Sequence, residues 1–111
     1  NIGYYAFRGC TYLRDLYLDG VQTINIGAFE DCVNLVRLEL PETLTSIDDE
    51  AFARCQSLEE LTIYTDVPPI ISENTFYNCP LVQINVTQQA YNYYLNDQIW
   101  SQYASIIRVM N

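Results

Sequence analysis

The sequence predicts an α/β solenoid, a right-handed superhelix of stacked coils, and three periodic observations predict it. First, Phe7, Phe29, Phe52 and Phe76 recur at spacings of 22, 23 and 24 residues. Second, each Phe is followed three positions later by a cysteine (Cys10, Cys32, Cys55, Cys79) and preceded by five positions by an isoleucine (Ile2, Ile24, Ile47, Ile71). Third, an apolar ladder follows each cysteine: Leu13, Leu16, Leu18; Leu35, Leu38, Leu40; Leu58, Leu61, Ile63; and, one residue early, Leu81, Ile84, Val86.

Each element follows from its pattern. The L-x-L end of a ladder alternates inward and outward and reads as a short strand. Successive coils repeat that strand in the same chain direction, so the strands form a parallel sheet on a concave face. The Ile, Ala-Phe and Cys positions read as short helical or 3₁₀ segments on the opposite wall. No coil buries its apolar side alone, so neighbours must stack. The period and the L-x-x-L-x-L ladder are those of a leucine-rich repeat. Four repeats are expected over 1–86, at approximately 2–23, 24–46, 47–70 and 71–86.

The Ala-Phe-x-x-Cys motifs of the first three copies, their ladders, and the Leu40-Pro41 and Leu44-x-x-Ile47 links resemble the BspA-like leucine-rich repeats of bacterial surface and secreted proteins. The fourth copy departs most, with Pro68-Pro69, Thr75 and Pro80. That resemblance implies adhesion to host proteins, matrix or other microbes, and an extracellular or cell-surface location.

Residues 87–111 break the period in the sequence and are expected to cap the array. Gln88 to Leu95 reads as a short helix and Ile106 to Met110 as a final strand or tail. The aromatics Tyr91, Tyr93, Tyr94, Trp100 and Tyr103 are assigned to packing, with carbohydrate stacking as the sharper alternative. The start of the pattern at Asn1-Ile2-Gly3 leaves the first coil uncapped. Further repeats upstream, in a longer parent protein, or self-association through this end would cover it.

Composition removes much of the catalytic repertoire. The chain has 111 residues, no histidine, and 14 Asp and Glu against five basic residues, for a net charge of −9. A basic nucleic-acid footprint is absent, and so are His triads, His metal ligands and His bases. The apolar runs are too short for membrane insertion. Cysteine spacing does not match a zinc or redox motif, and no Gly-rich phosphate loop occurs. We therefore expect no enzyme activity, no cofactor and no metal. The cysteines read as a column of buried thiols, with disulfides between adjacent coils as the alternative. Asp48-Asp49-Glu50 reads as favourable charge beside a short helical turn. The Asn85-Val86-Thr87 sequon is taken as chance.

What remains is a surface. If the ladder leucines point inward, the residues between them form outward columns. These are Asp15, Arg37, Glu60, Gln83; Tyr17, Glu39, Thr62, Asn85; and Asp19, Pro41, Tyr64, Thr87. From them, Asp15, Tyr17, Asp19, Arg37, Glu39, Glu60, Thr62, Tyr64, Gln83 and Asn85 are the candidate binding residues. The partner is a protein or glycan, such as host matrix or mucin. The competing expectation is a solvated face with Arg37 paired to Asp15 and Glu60, in a chain serving as a spacer, a self-associating array, or an appended module of a larger secreted enzyme.

Overall fold

The computed structural model describes residues 1–110; Asn111, the last residue of the expected cap, lies outside the described residues. Five short strands pair in parallel in the order β1-β3-β5-β6-β7: β1 (Asp15–Tyr17), β3 (Arg37–Leu40), β5 (Glu60–Ile63), β6 (Gln83–Val86) and β7 (Ile107–Val109). Two further strands, β2 (Thr23–Ile24) and β4 (Ser46–Ile47), form a second parallel ladder. Bridges Ile2↔Ile24 and Ser46↔Ile70 extend it across four coils. Each early coil thus has three sides: a face strand, an isoleucine rung and a turn wall.

The face strands are what the ladders require. Leu38 and Leu40, Leu61 and Ile63, and Ile84 and Val86 are sealed inside, while their neighbours point outward. Register matches the spacing: Leu16↔Leu38↔Leu61↔Ile84 align, and so do Tyr17↔Glu39↔Thr62↔Asn85. Each sealed Leu or Ile contributes roughly 1.5–3 kcal/mol of apolar burial.

The isoleucines correct an expectation. The spacing places them in the wall's helical segments, yet Ile2, Ile24 and Ile47 lie in the second ladder, Ile24 and Ile47 buried, and in the fourth coil Ile70 makes the bridge in place of Ile71. A two-residue strand shows no alternation, so periodicity alone has nothing to detect.

The wall's short helical segments take the form of successive 3₁₀-type turns. In the second coil, Ala28, Glu30 and Cys32 donate to the carbonyls three residues back. The alternate amides of Gly27, Phe29 and Asp31 donate instead to Asp49, Ala51 and Ala53 of the next coil. Spending every second amide on the neighbour prevents a continuous helix. The geometry needs left-handed residues two positions either side of Phe: Tyr5, Gly27 and Glu50 before it, and Gly9, Asp31, Arg54 and Asn78 after it, all have positive φ. Gly27 is additionally required because a Cβ there would collide with the Tyr5 ring.

Inside the wall the phenylalanines stack. Ring centroids of Phe7–Phe29, Phe29–Phe52 and Phe52–Phe76 lie 5.2, 5.1 and 5.7 Å apart, within 12° of parallel. The cysteines are free thiols, so the disulfide alternative falls. Cys32, Cys55 and Cys79 donate Sγ–H to the carbonyls of Phe7, Phe29 and Phe52. Burial raises the Cys32 thiol above its ordinary range.

The terminal segment also departs from expectation. It contains helix α1 (Gln88–Asn96), capped by Thr87, then a 3₁₀ helix (Trp100–Ile106) and β7. The local structure changes, but the period does not stop. Trp100 follows Phe76 by 24 residues and continues the ring column at 6.1 Å. Ile107 pairs with Ile84. The segment is therefore a fifth coil whose second ladder and turn wall are replaced by helix. Trp100 is fully buried, its Nε1–H donating to the Pro69 carbonyl at 2.8 Å, with Tyr94 edge-on to it. These two aromatics are packing residues, as expected.

Candidate functional site

The outward side chains of the main sheet stand on a rigid base. Directly beneath them lie the leucine columns, so the outward positions of β3, β5 and β6 are fixed by backbone pairing on both flanks and those of the edge strand β1 on one. The column Asp15, Arg37, Glu60, Gln83 and the column Tyr17, Glu39, Thr62, Asn85 are both present in register. Arg108 on β7 extends the second column beside Asn85. Spacing does not reveal Arg108, because Ile106 to Met110 carries no ladder motif that separates a strand from a tail.

The third column is split. Asp19 and Tyr64 are exposed at the rim of the sheet. Thr87 is turned to structural work: its Oγ1 accepts from the Ala90 amide and donates to the Thr65 carbonyl. A threonine at that place is what helix initiation requires.

Side-chain contacts divide the face in two. Toward the later coils, polar groups satisfy one another. Asn85 Nδ2 donates to Glu60 Oε2 at 2.8 Å and to Thr62 Oγ1 at 3.2 Å, and Gln83 Nε2 donates to Asn85 Oδ1 at 2.8 Å. Toward the earlier coils, the rings of Tyr17 and Tyr64 stand 61% and 44% exposed. The Tyr64 hydroxyl donates to Glu39 Oε1 at 3.1 Å. Burial and the neighbouring Glu39 carboxylate hold the Tyr64 phenol above its usual range.

The expected pairing of Arg37 with Asp15 and Glu60 is corrected. All three are neighbours in register, yet among the described residues no ion pair within 4 Å involves Arg37. Parallel strands put such side chains side by side, and free guanidinium rotation keeps Arg37 in water.

The real ion cluster is on the turn wall. Glu30, 5% exposed, receives Arg54 and, at 3.1 Å, Arg8; Arg54 also reaches Asp31 at 3.2 Å and Glu50 at 3.7 Å. The expected role of Glu50 as charge beside a helical turn becomes a role as partner to Arg54, while Asp49 Oδ1 accepts from Ser72 at 2.7 Å. This cluster ties three coils together and leaves two of the five arginines committed away from the sheet.

Two open hollows lie on this face, one against Tyr64 and one against Glu39. One, of about 300 Å³, is lined by Asp19, Gly20, Pro41, Glu42, Thr43 and Tyr64. The other, of about 310 Å³, lies among Arg37, Leu38, Glu39, Glu60 and Thr62. Glu42 had not been singled out; its place beside Asp19 depends on how the links between coils fold. Among the described residues no cluster of three or more His, Cys, Asp or Glu side chains is placed to hold a metal, and no helix is long and apolar enough to cross a membrane.

A repeating ladder, a parallel sheet with one free face and an aromatic column behind it define a leucine-rich repeat module. Consistent with this, the family model described as BspA type leucine rich repeat region (6 copies) matches residues 1–105, and the chain belongs to that family. The family comprises repeat modules that are commonly surface-associated. Comparison with curated proteins gives no match.

Proposed function

We propose that this chain is a non-enzymatic binding module of a bacterial cell-surface or secreted protein, engaging a protein or glycan partner through the free face of its sheet. The observation that carries this reading is the contrast within each face strand. In β3, β5 and β6 the inward residues are fully buried, while outward residues of the face present tyrosine, carboxylate and amide groups in fixed register. Rigid placement lowers the entropy lost on binding, and Tyr is enriched among residues that dominate interface energetics.

The test is a binding screen against matrix proteins, mucins and glycans. The wild type is compared with a Tyr17→Ala/Glu39→Arg/Tyr64→Ala variant whose fold is verified by circular dichroism. A partner bound by the wild type and lost by the variant supports the proposal. A partner bound equally by both moves the function to another surface.

A second reading has its own observation. The outer side of the first coil exposes Phe7 and leaves one edge of β1 unpaired, which favours self-association. Sedimentation of the wild type beside Phe7→Glu separates the two: a concentration-dependent dimer lost in the variant supports association through this end.

A further inference from the structure

Tyr17 stands on β1 and Tyr64 just past the end of β5, two strands over and two residues further along, so their Cα atoms lie roughly 12 Å apart. Glu39 stands on the strand between them. One Glu39 oxygen accepts from Tyr64; among the described residues the other has no hydrogen-bond partner, and no basic nitrogen lies within 4 Å of either. Two aromatic faces stacked about a flat group at van der Waals separation need roughly 7–8 Å. The Cα separation exceeds this and leaves room for one planar group between the rings, with the Glu39 carboxylate beside it.

The surroundings choose the charge of that group. The adjoining hollow carries Asp19 and Glu42 and no basic residue. Arg37 lies on the other side of Glu39, toward Glu60. Arg8 and Arg54 are held on the turn wall. The rings, the free carboxylate oxygen and the hollow all favour a cation, and none of them is matched by a cation of the chain itself.

Resting on the sheet-face reading above, we infer that the face recognises an arginine side chain of a partner polypeptide, its guanidinium lying between Tyr17 and Tyr64 and bonded to Glu39. A guanidinium is planar, stacks on aromatic rings and offers parallel N–H donors to a carboxylate, whereas an ammonium is a compact, strongly hydrated point charge. The partner backbone runs in extended form across the face. A second basic side chain, two residues on, falls roughly 7 Å away, within the hollow between Asp19 and Glu42.

The test uses the chain as it stands and three labelled peptides in a Gly/Ser host. They carry arginine, lysine or citrulline at three alternate positions. Fluorescence anisotropy is read at low and at 0.5 M salt. Arginine peptide should bind at least tenfold more tightly than citrulline peptide and several-fold more tightly than lysine peptide. Glu39→Gln, and separately Tyr17→Ala/Tyr64→Ala, should weaken arginine binding at least tenfold and erase the preference over lysine. Glu73→Gln, which removes one exposed carboxylate on the turn wall, should leave it unchanged.

Equal affinity for arginine and lysine peptides overturns the inference, as does an equal loss in Glu73→Gln and Glu39→Gln; both outcomes mean attraction by net charge alone. Failure of all three peptides, while the screen above still finds a partner lost in the triple variant, overturns the arginine inference and leaves the sheet-face function standing. Failure of both experiments overturns both.

Discussion

Phe7 and Phe52 occupy the same place in the repeat, and their surroundings could hardly differ more. Phe52 is 0% exposed between two parallel rings; Phe7 is 42% exposed, with one ring face covered and the other open. Burial in this molecule is therefore a property of the stack and not of the motif. An identical residue has its full effect only when coils close over it from both sides.

The largest effects should test that contrast directly. Phe52→Ala or Phe29→Ala should cost about 3–5 kcal/mol, because each leaves a void with no route to collapse. Phe7→Ala should cost less than half as much, since one side of its ring already meets water. Urea denaturation of the three variants measures the difference. Equal losses would mean that the first coil is as well sealed as the middle ones.

Next comes the backbone of the wall. Gly27→Ala should lose about 1–2 kcal/mol, since φ is 65° there and a side chain is strained in that region. The new methyl also meets the Tyr5 ring. Pairing it with Tyr5→Ala isolates the steric part: the double variant should be relieved of the clash and keep the conformational cost.

The buried thiols give a pH-dependent arm. Cys32 is held above its ordinary value by burial, so the unfolded chain releases this proton first. Its stabilising contribution is complete below the unfolded value of about 8.5 and is lost as pH rises toward the folded one. Stability should therefore fall above about pH 8.5, by at most about 1.4 kcal/mol per pH unit for each such thiol. Cys32→Ala should flatten the slope. A profile unchanged by the substitution would place the titrating group elsewhere.

The smallest effect is expected on the sheet face. Tyr17→Ala should alter stability by no more than about 0.5 kcal/mol, because the ring is 61% exposed and stands outward on the edge strand. A loss above 1 kcal/mol would show that the ring holds the first coil down and is not held free for a partner.

Most of the face was legible from spacing alone. Leucines three and two apart fix which side chains point outward, and a constant period fixes which of them meet. Columns such as Tyr17, Glu39, Thr62 and Asn85 follow from arithmetic on the chain. What was hidden depends on close approach between coils. Arg54 stands two residues past Phe52 and finds Glu30 and Asp31 only because the stack sets it above them. The isoleucine ladder was hidden by the shortness of its strands. The fifth coil was hidden by substitution: Trp100 takes the place of a phenylalanine, and helices replace turns around it. Arg37 was misread for the opposite reason, since adjacency in register does not oblige two exposed charges to meet. The site's partner chemistry was not legible, because the Tyr17–Glu39–Tyr64 arrangement requires a side chain from the third coil to reach back to the second.

Every second amide of the turn wall points the same way, toward the next coil. Tyr5, Phe7 and Gly9 donate to Ile26, Ala28 and Glu30; Gly27, Phe29 and Asp31 donate to the third coil; Phe52 and Arg54 donate to the fourth. The peptide dipoles of successive coils are thus aligned along the axis of stacking, as they are in a helix but over a broader column. Such alignment leaves partial negative charge on the outer carbonyls of the first coil and partial positive charge at the far end. The array has an electrical direction, set by main-chain geometry and independent of its titratable side chains. Its two ends are chemically unlike: a group meeting the first coil's wall must bring donors, while the interior wall has already used its own.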